Sequence, residues 1–430
     1  MTNQKISIDL SRFVALGDSI TAGYADGALY YEAQQNTYPN LIAQQYKLIQ
    51  PIEFTQPLVS PDSVGIGFLG RSRLILKRDV VSSNASSFRL SYMANQGDQS
   101  VFSSNIYHNS GPFNNMAIPG AKLLHLLFSG YGNPQLGEGN YNSFFTRMAS
   151  HTETASVLSD SLQQKPTFFS LYIGNNDVLG YAMRGGTMDS ITPLHGKPGE
   201  GFESTLEFII DQLMQNGAQG ILATIPNITT IPFFNTIPYN SLVLSKAEAD
   251  ALNITYSKEF IHFNEGSNPY VIEEIVDGKT ALRHISKHEL ILSEIILDPS
   301  KERYLKGLAP VPKHYTLTAN QVTDVQTTIL HYNEIIQRLA KEKQLALVNL
   351  NKLLKNNRPD RYYDSSALQI VYEQNGVFSL DGMHINALGQ AVLANEFIKA
   401  IHKTYKFKIP RLPIFKFRKK QNMNQIVKPV

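Results

Sequence analysis

The sequence predicts an α/β fold: a doubly wound, flavodoxin-like, three-layer parallel sheet flanked by helices, with β-rich insertions. Three observations carry this. Short apolar runs at 13–16 and 167–173 alternate little, as strands buried on both faces should. Stretches with helical spacing are interleaved with them, most clearly over 318–343, where Val322, Val325, Ile329, Ile336 and Leu339 recur on one face. The strand-like runs stop at Gly, Asp, Asn or Ser, the residues that turn a chain and populate the ligand-binding edge of open α/β sheets.

Taken in order, 13–16 reads as a buried strand broken by Gly17 and Asp18, followed by Ser19. A helix is expected from Tyr38 to Tyr46, with Pro39 suited to its first turn. The loop 24–31 is aromatic and follows the Ser19 turn closely, which suits either a pocket wall or ordinary packing. From 56 to 114 the chain is polar and β-rich, with strands expected at 69–81 and 88–92. Gly65-Ile-Gly-Phe-Leu-Gly70 matches a dinucleotide fingerprint as a string, but no strand precedes it and no helix follows, so it is discounted. Helices are expected over 121–128 and 143–163, then the strand 167–173, a helix over 204–216 and a strand over 220–224. Between 241 and 315 the helix–strand rhythm is lost, with strands expected at 270–276 and 290–292. His262, His284 and His288 fall there without metalloprotease spacing, and no metal site is expected. After the helix 318–343 come a strand at 345–348, a loop over 356–378 and a last helix from 386 to 402, with Leu388, Val392, Phe397 and Ile401 as its apolar stripe.

The bounds are those of a globular chain: 430 residues, 42% hydrophobic and 17% charged. Cysteine is absent, which removes disulfides, thiol nucleophiles and Cys-based metal sites. No run of eighteen apolar residues occurs, so no transmembrane span is expected. Nine of the 39 basic residues and none of the 36 acidic ones follow Lys399, so a body of net charge −6 precedes a basic tail. That distribution does not suit nucleic acid, which wants cations gathered on a folded surface. The tail, with Phe407, Phe415 and Phe417 among its cations, suits a solvated end, a final strand along the body, or peripheral contact with an anionic membrane.

A serine just past a strand is most often a helix N-cap. As a nucleophile, Ser19 would need a base to take its proton and a third group to orient that base. In Ser379-Leu-Asp-Gly-Met-His384, the spacing of three lets Asp381 reach Nδ1 of His384 on one local turn and leaves Nε2 for Ser19. A developing oxyanion also needs donors. Ile118-Pro-Gly120, an open turn, and Gly174-Asn-Asn-Asp177, at the end of the strand 167–173, both offer them.

Together these stretches resemble the SGNH, or GDSL-type, family of serine hydrolases. The family's characteristic positions correspond to Ser19, Gly120, Asn176 and His384, with Asp381 in its Asp-x-x-His block, and Ile20 stands where the family name has Leu. The resemblance implies Ser19, Asp381 and His384 as catalytic residues and an oxyanion hole of Ser19, Gly120 and Asn176. It further implies hydrolysis of small-molecule carboxylic esters, lipid or acyl, through an acyl-enzyme, with no cofactor. The alternatives are a carbohydrate O-acetyl esterase, or a polysaccharide-binding protein with a vestigial hydrolase site, against which the complete residue set argues. The layout is similar to large bacterial lipase/acylhydrolase-like members. It implies one hydrolase domain over 1–405, with insertions near 56–114 and 241–315, and a basic tail over 406–430. The first ten residues do not read as a signal peptide, because Lys5 and Asp9 interrupt any apolar core. The resemblance points to an extracytoplasmic protein if a signal precedes them.

Overall fold

The computed structural model of the chain describes residues 8–82, 85–187, 189–297, 299–351, 376–417 and 426–427. Residues 356–375 of the expected connecting loop, and Arg418, Lys419, Lys420 and Lys428 of the tail, lie outside the described residues.

Four strands form the central sheet: β1 (Phe13–Gly17), β2 (Phe168–Tyr172), β3 (Gln219–Ala223) and β4 (Ala346–Val348), in the order β1-β2-β3-β4. All are parallel, with Leu16 opposite Leu171, Leu171 opposite Leu222 and Leu222 opposite Leu347. Every residue of β1 and β2 is buried, which explains their unalternating apolar sequences. Residues 114–118 run along the other edge of β1. Ala15 N donates to Asn114 O (2.8 Å), Met116 N to Ala15 O (2.8 Å) and Ile118 N to Gly17 O (3.0 Å). With that segment counted, the order becomes the 2-1-3-4-5 of flavodoxin-like sheets. The α/β architecture expected from the sequence is the one observed.

The helices follow the same logic. Among them are α1 (Tyr38–Lys47), α2 (Val157–Gln163), α3 (Phe202–Met214), α4 (Ala319–Glu342) and α5 (Ala387–Tyr405). Asn386 caps α5 by accepting from Gly389 N at 3.0 Å, and Leu388, Val392, Phe397 and Ile401 are all buried. Gln390 of α5 donates to Ile20 O (2.7 Å) and accepts from Tyr38 N (2.9 Å), joining α5, α1 and the turn after β1.

Three expectations need correction. The helix expected over 143–163 is two pieces, Ser143–Thr146 and α2, because Ser156 starts a new helix through a reciprocal cap with Ser159. The one expected over 121–128 is a single 3₁₀ turn, Leu123–Leu126. A helix absent from the sequence reading spans Lys246–Thr255, opened by a Ser245–Glu248 capping box.

The chain forms two compact units, one of Met1–Asn176, Thr192–Pro226 and His331–Val430, the other of Asp177–Ile191 and Asn227–Leu330. The first contains the central sheet and a hairpin, Leu74–Ser82 with Ala85–Tyr92, to which Ile426–Val427 adds in parallel. The second has its own core around Leu252, Phe263, Ile272, Ile291 and Val311. Its hairpin Val271–Val276 with Lys279–His284 is tied by Arg283, which forks between Glu274 (2.9 Å) and Glu289 (2.7 Å). His284 Nε2 faces a backbone oxygen, that of His262, at 3.0 Å. Among the described residues no cluster of three His, Asp or Glu could hold a metal ion, and no helix is long and apolar enough to cross a membrane.

Candidate active site

β1 ends at Gly17, where an added Cβ would lie 2.6 Å from Tyr172 O and 2.3 Å from Thr21 Oγ1, so only glycine fits. The chain then turns into a four-residue helix, Ser19–Ala22. Asp18, not Ser19, is its cap, accepting from Ile20 N at 3.1 Å. Gly23, at φ +84°, closes the helix in the left-handed conformation. Ser19 is thereby presented at the C-terminal edge of β1.

Ser19 Oγ lies 2.9 Å from His384 Nε2, and His384 Nδ1 lies 2.9 Å from Asp381 Oδ2. An ionised carboxylate only accepts, so Nδ1 carries the proton and Nε2 is left to accept from the serine hydroxyl. The Asp381 carboxylate is held from several sides. Gly27 N (2.8 Å), Ser379 Oγ (2.9 Å), Met383 N (2.8 Å) and His384 N (2.8 Å) all donate to it. Burial alone would push its pKa up. The electrostatic pull of His384 and the hydrogen bonds from its side chain, its N–H and Met383 N outweigh burial and hold it well below the usual carboxylate range.

Gly120 sits at φ +77° in the turn that follows 114–118, where an added Cβ would lie 2.9 Å from the Phe68 ring. Asn176 follows β2, and its Nδ2 donates to Ala121 O at 3.0 Å. One of its two amide protons therefore holds the turn beside Gly120. Asn142 supports the same turn, donating to Pro119 O at 2.9 Å. The structure thus brings Ser19, Asp381 and His384 into one hydrogen-bonded chain, and joins Asn176 to the Gly120 turn.

Among the neighbours, Tyr24 lies in the aromatic loop 24–31 noted in the sequence, whereas Phe68 and Phe144 were not singled out as site residues. Tyr24 packs its ring 4.8 Å from that of His384, and Phe68 packs 5.3 Å from Tyr24 and 5.4 Å from Phe144. Phe68 belongs to the discounted Gly65–Gly70 string, which is a turn closed by Gly67 N to Arg71 O (2.8 Å). Asp18 is fully buried, with Asn175 Nδ2 donating to it at 2.8 Å. Burial pushes its pKa up to about 6, against the pull of the Asn175 and Ile20 hydrogen bonds.

That shift has a sign. The folded state holds the Asp18 proton more tightly than the unfolded chain, so stability is greatest below pH 3.8 and is lost as pH rises towards 6. The Asp18→Asn variant keeps an acceptor for Ile20 N and cannot ionise. Its stability relative to wild type is expected to rise by roughly 3 kcal/mol between pH 4 and 7 in urea unfolding. A difference flat across that range would mean that Asp18 ionises normally.

Comparison with known proteins adds the following. A profile of the GDSL-like lipase/acylhydrolase family matches residues 13–397. No curated protein matches significantly. Among solved structures, the chain is similar to LAE5, an α/β hydrolase from the metagenome of Lake Arreo, Spain (14% identity, 92% of this chain and 97% of that one, TM-score 0.34). It is similar to a variant of the acetylxylan esterase Axe2 from Geobacillus stearothermophilus (13% identity, 95% and 100%, TM-score 0.35). It is also similar to an extracellular lipase from Streptomyces rimosus (13% identity, 91% and 98%, TM-score 0.30). With the family profile covering most of its length, the chain belongs to the GDSL-like lipase/acylhydrolase family and is an ester hydrolase.

Proposed function

We propose that this protein cleaves acyl or lipid esters through an acyl-enzyme on Ser19. The observation that supports this most directly is the chain from Ser19 Oγ through His384 to Asp381, at 2.9 Å and 2.9 Å. Ser19 Oγ attacks the ester carbonyl while His384 Nε2 takes its proton. Collapse of the tetrahedral intermediate breaks the bond to the alcohol oxygen, which leaves with that proton. Water then attacks the acyl-enzyme, giving a proton to His384. Carboxylic acid is released as Ser19 is reprotonated. Asp381 fixes the imidazole and stabilises its charged form. The backbone N–H groups of Ser19 and Gly120, with the remaining Asn176 amide proton, hold the oxyanion.

The acyl preference is supported by Phe68, 54% exposed beside Gly120 and backed by Tyr24 and Phe144. An acyl chain laid on those rings buries apolar surface worth about 0.8 kcal/mol per methylene. p-Nitrophenyl octanoate is expected to show a kcat/KM at least ~10-fold above that of the acetate, a ratio that Phe68→Ala lowers several-fold. Preference for the acetate, with deacetylation of acetylated oligosaccharides, would replace this reading with that of a carbohydrate O-acetyl esterase. Peripheral membrane contact is proposed for the basic C-terminal region, supported by a surface groove of about 430 Å³ lined by Ile398, Lys399, His402, Lys408 and Ile409.

A further inference from the structure

The hairpin that follows Ser19 is built against the loop that carries Asp381. Tyr24–Ala25 and Ala28–Leu29 pair antiparallel with Ala25 opposite Ala28. Between them, Asp26 and Gly27 stand at φ +53° and +74°, the two-residue turn that Asp-Gly favours. An aspartate needed only for that backbone conformation would point into solvent. This one is 8% exposed, and its carboxylate reaches a loop 354 residues on.

Three hydrogen bonds join the two segments. Asp26 N donates to Ser379 Oγ (2.9 Å), Leu380 N donates to Asp26 Oδ1 (2.8 Å), and Gly27 N donates to Asp381 Oδ2 (2.8 Å). Ser379 Oγ donates onward to Asp381 Oδ1 at 2.9 Å. The other carboxyl oxygen of Asp26 accepts from Tyr30 OH at 2.6 Å, and the Tyr30 ring lies under the Arg73 guanidinium at 4.5 Å. Burial pushes the Asp26 pKa up to about 6 against the pull of the Tyr30 and Leu380 hydrogen bonds. Removal of its carboxylate would leave the buried Leu380 N without its acceptor, one residue before Asp381.

We propose that Asp26 is a positioning residue for ester hydrolysis: by holding Leu380 and Ser379, it keeps Asp381 Oδ2 on Nδ1 of His384. The inference rests on the reading of Ser19, Asp381 and His384 given above. Asp26 touches neither substrate nor the reacting atoms, and acts only through the geometry of Asp381. A displacement near 1 Å in such a group is enough to cost on the order of 10² in rate.

The test uses substitutions that tolerate the left-handed backbone. Asp26→Gly keeps the turn and removes the carboxylate, whereas Asp26→Asn keeps an acceptor for Leu380 N. Asp26→Gly is expected to lower kcat by about 10²-fold with KM changed by less than about threefold, and Asp26→Asn to restore kcat to within about tenfold of wild type. The low-field proton resonance of His384 Nδ1–H should be present in wild type and Asp26→Asn and be lost or shifted in Asp26→Gly. Should Asp26→Gly not fold, Ser379→Ala cuts the bridge from Asp26 N to Asp381 and carries the same expectation. Ser19→Ala is assayed alongside. An inactive Ser19→Ala together with wild-type kcat and imidazole resonance in Asp26→Gly or Ser379→Ala would overturn the positioning role and leave the hydrolase reading standing. An active Ser19→Ala would overturn both.

Discussion

Alanine at position 19 is expected to lower kcat for p-nitrophenyl ester hydrolysis by about 10⁶-fold and leave the fold intact. The size follows from the role proposed for Oγ: without it no acyl-enzyme would form, and His384 would have no alcohol to deprotonate. The remaining acceleration comes from substrate binding and the oxyanion donors. Folding should be spared because the local structure does not depend on the hydroxyl. Asp18 caps the short helix, and Gly23 closes it. Steady-state kinetics with mass spectrometry of the trapped acyl-enzyme checks both halves. A variant that kept more than about a hundredth of the wild-type kcat would exclude Ser19 as the nucleophile.

Asparagine at position 381 should cost about 10⁴ in kcat with little change in KM. The carboxylate accepts from Gly27 N, Ser379 Oγ, Met383 N, His384 N and His384 Nδ1. An amide of the same shape turns at least one donor against a donor, and it favours the imidazole tautomer with Nδ1 unprotonated. The same substitution affects stability with a definite sign. A carboxylate held below its ordinary value of 3.8 stabilises the fold above that pH and loses the contribution as pH falls below it. Asp381→Asn should therefore unfold more easily than wild type at pH 7, and the gap should narrow in acid. Urea titrations at pH 7 and below pH 3.8 measure this, and equal midpoints for the two proteins at pH 7 would contradict it.

The parallel sheet was legible because strands buried on both faces favour apolar residues without alternation, and β1 and β2 are apolar apart from Gly17, Ser170 and the Tyr172 hydroxyl. The five candidate residues, Ser19, Gly120, Asn176, Asp381 and His384, were legible because each lies in a short motif where a strand or turn ends. What surrounds them was not. Asp26, Phe68 and Asn142 reach the site only through contacts distant in sequence, which no local pattern records. The Asp26-Gly27 pair could have revealed the hairpin of Tyr24–Ala25 with Ala28–Leu29, though not its docking onto Leu380. Failures elsewhere had local causes. Ser245-x-x-Glu248 is a capping box that could have revealed the helix Lys246–Thr255. Ser156 is a second N-cap inside what reads as one continuous helix over 143–163.

The hydrogen bond between Ser19 and His384 closes a span of 365 residues. During synthesis, the strand that leads into Ser19 leaves the ribosome long before His384 exists. On the proposed mechanism, hydrolysis requires both ends of the chain in place, with α5 joined through Gln390 to Ile20 and Tyr38. In refolding, recovery of activity is expected to follow this long-range closure rather than the formation of secondary structure.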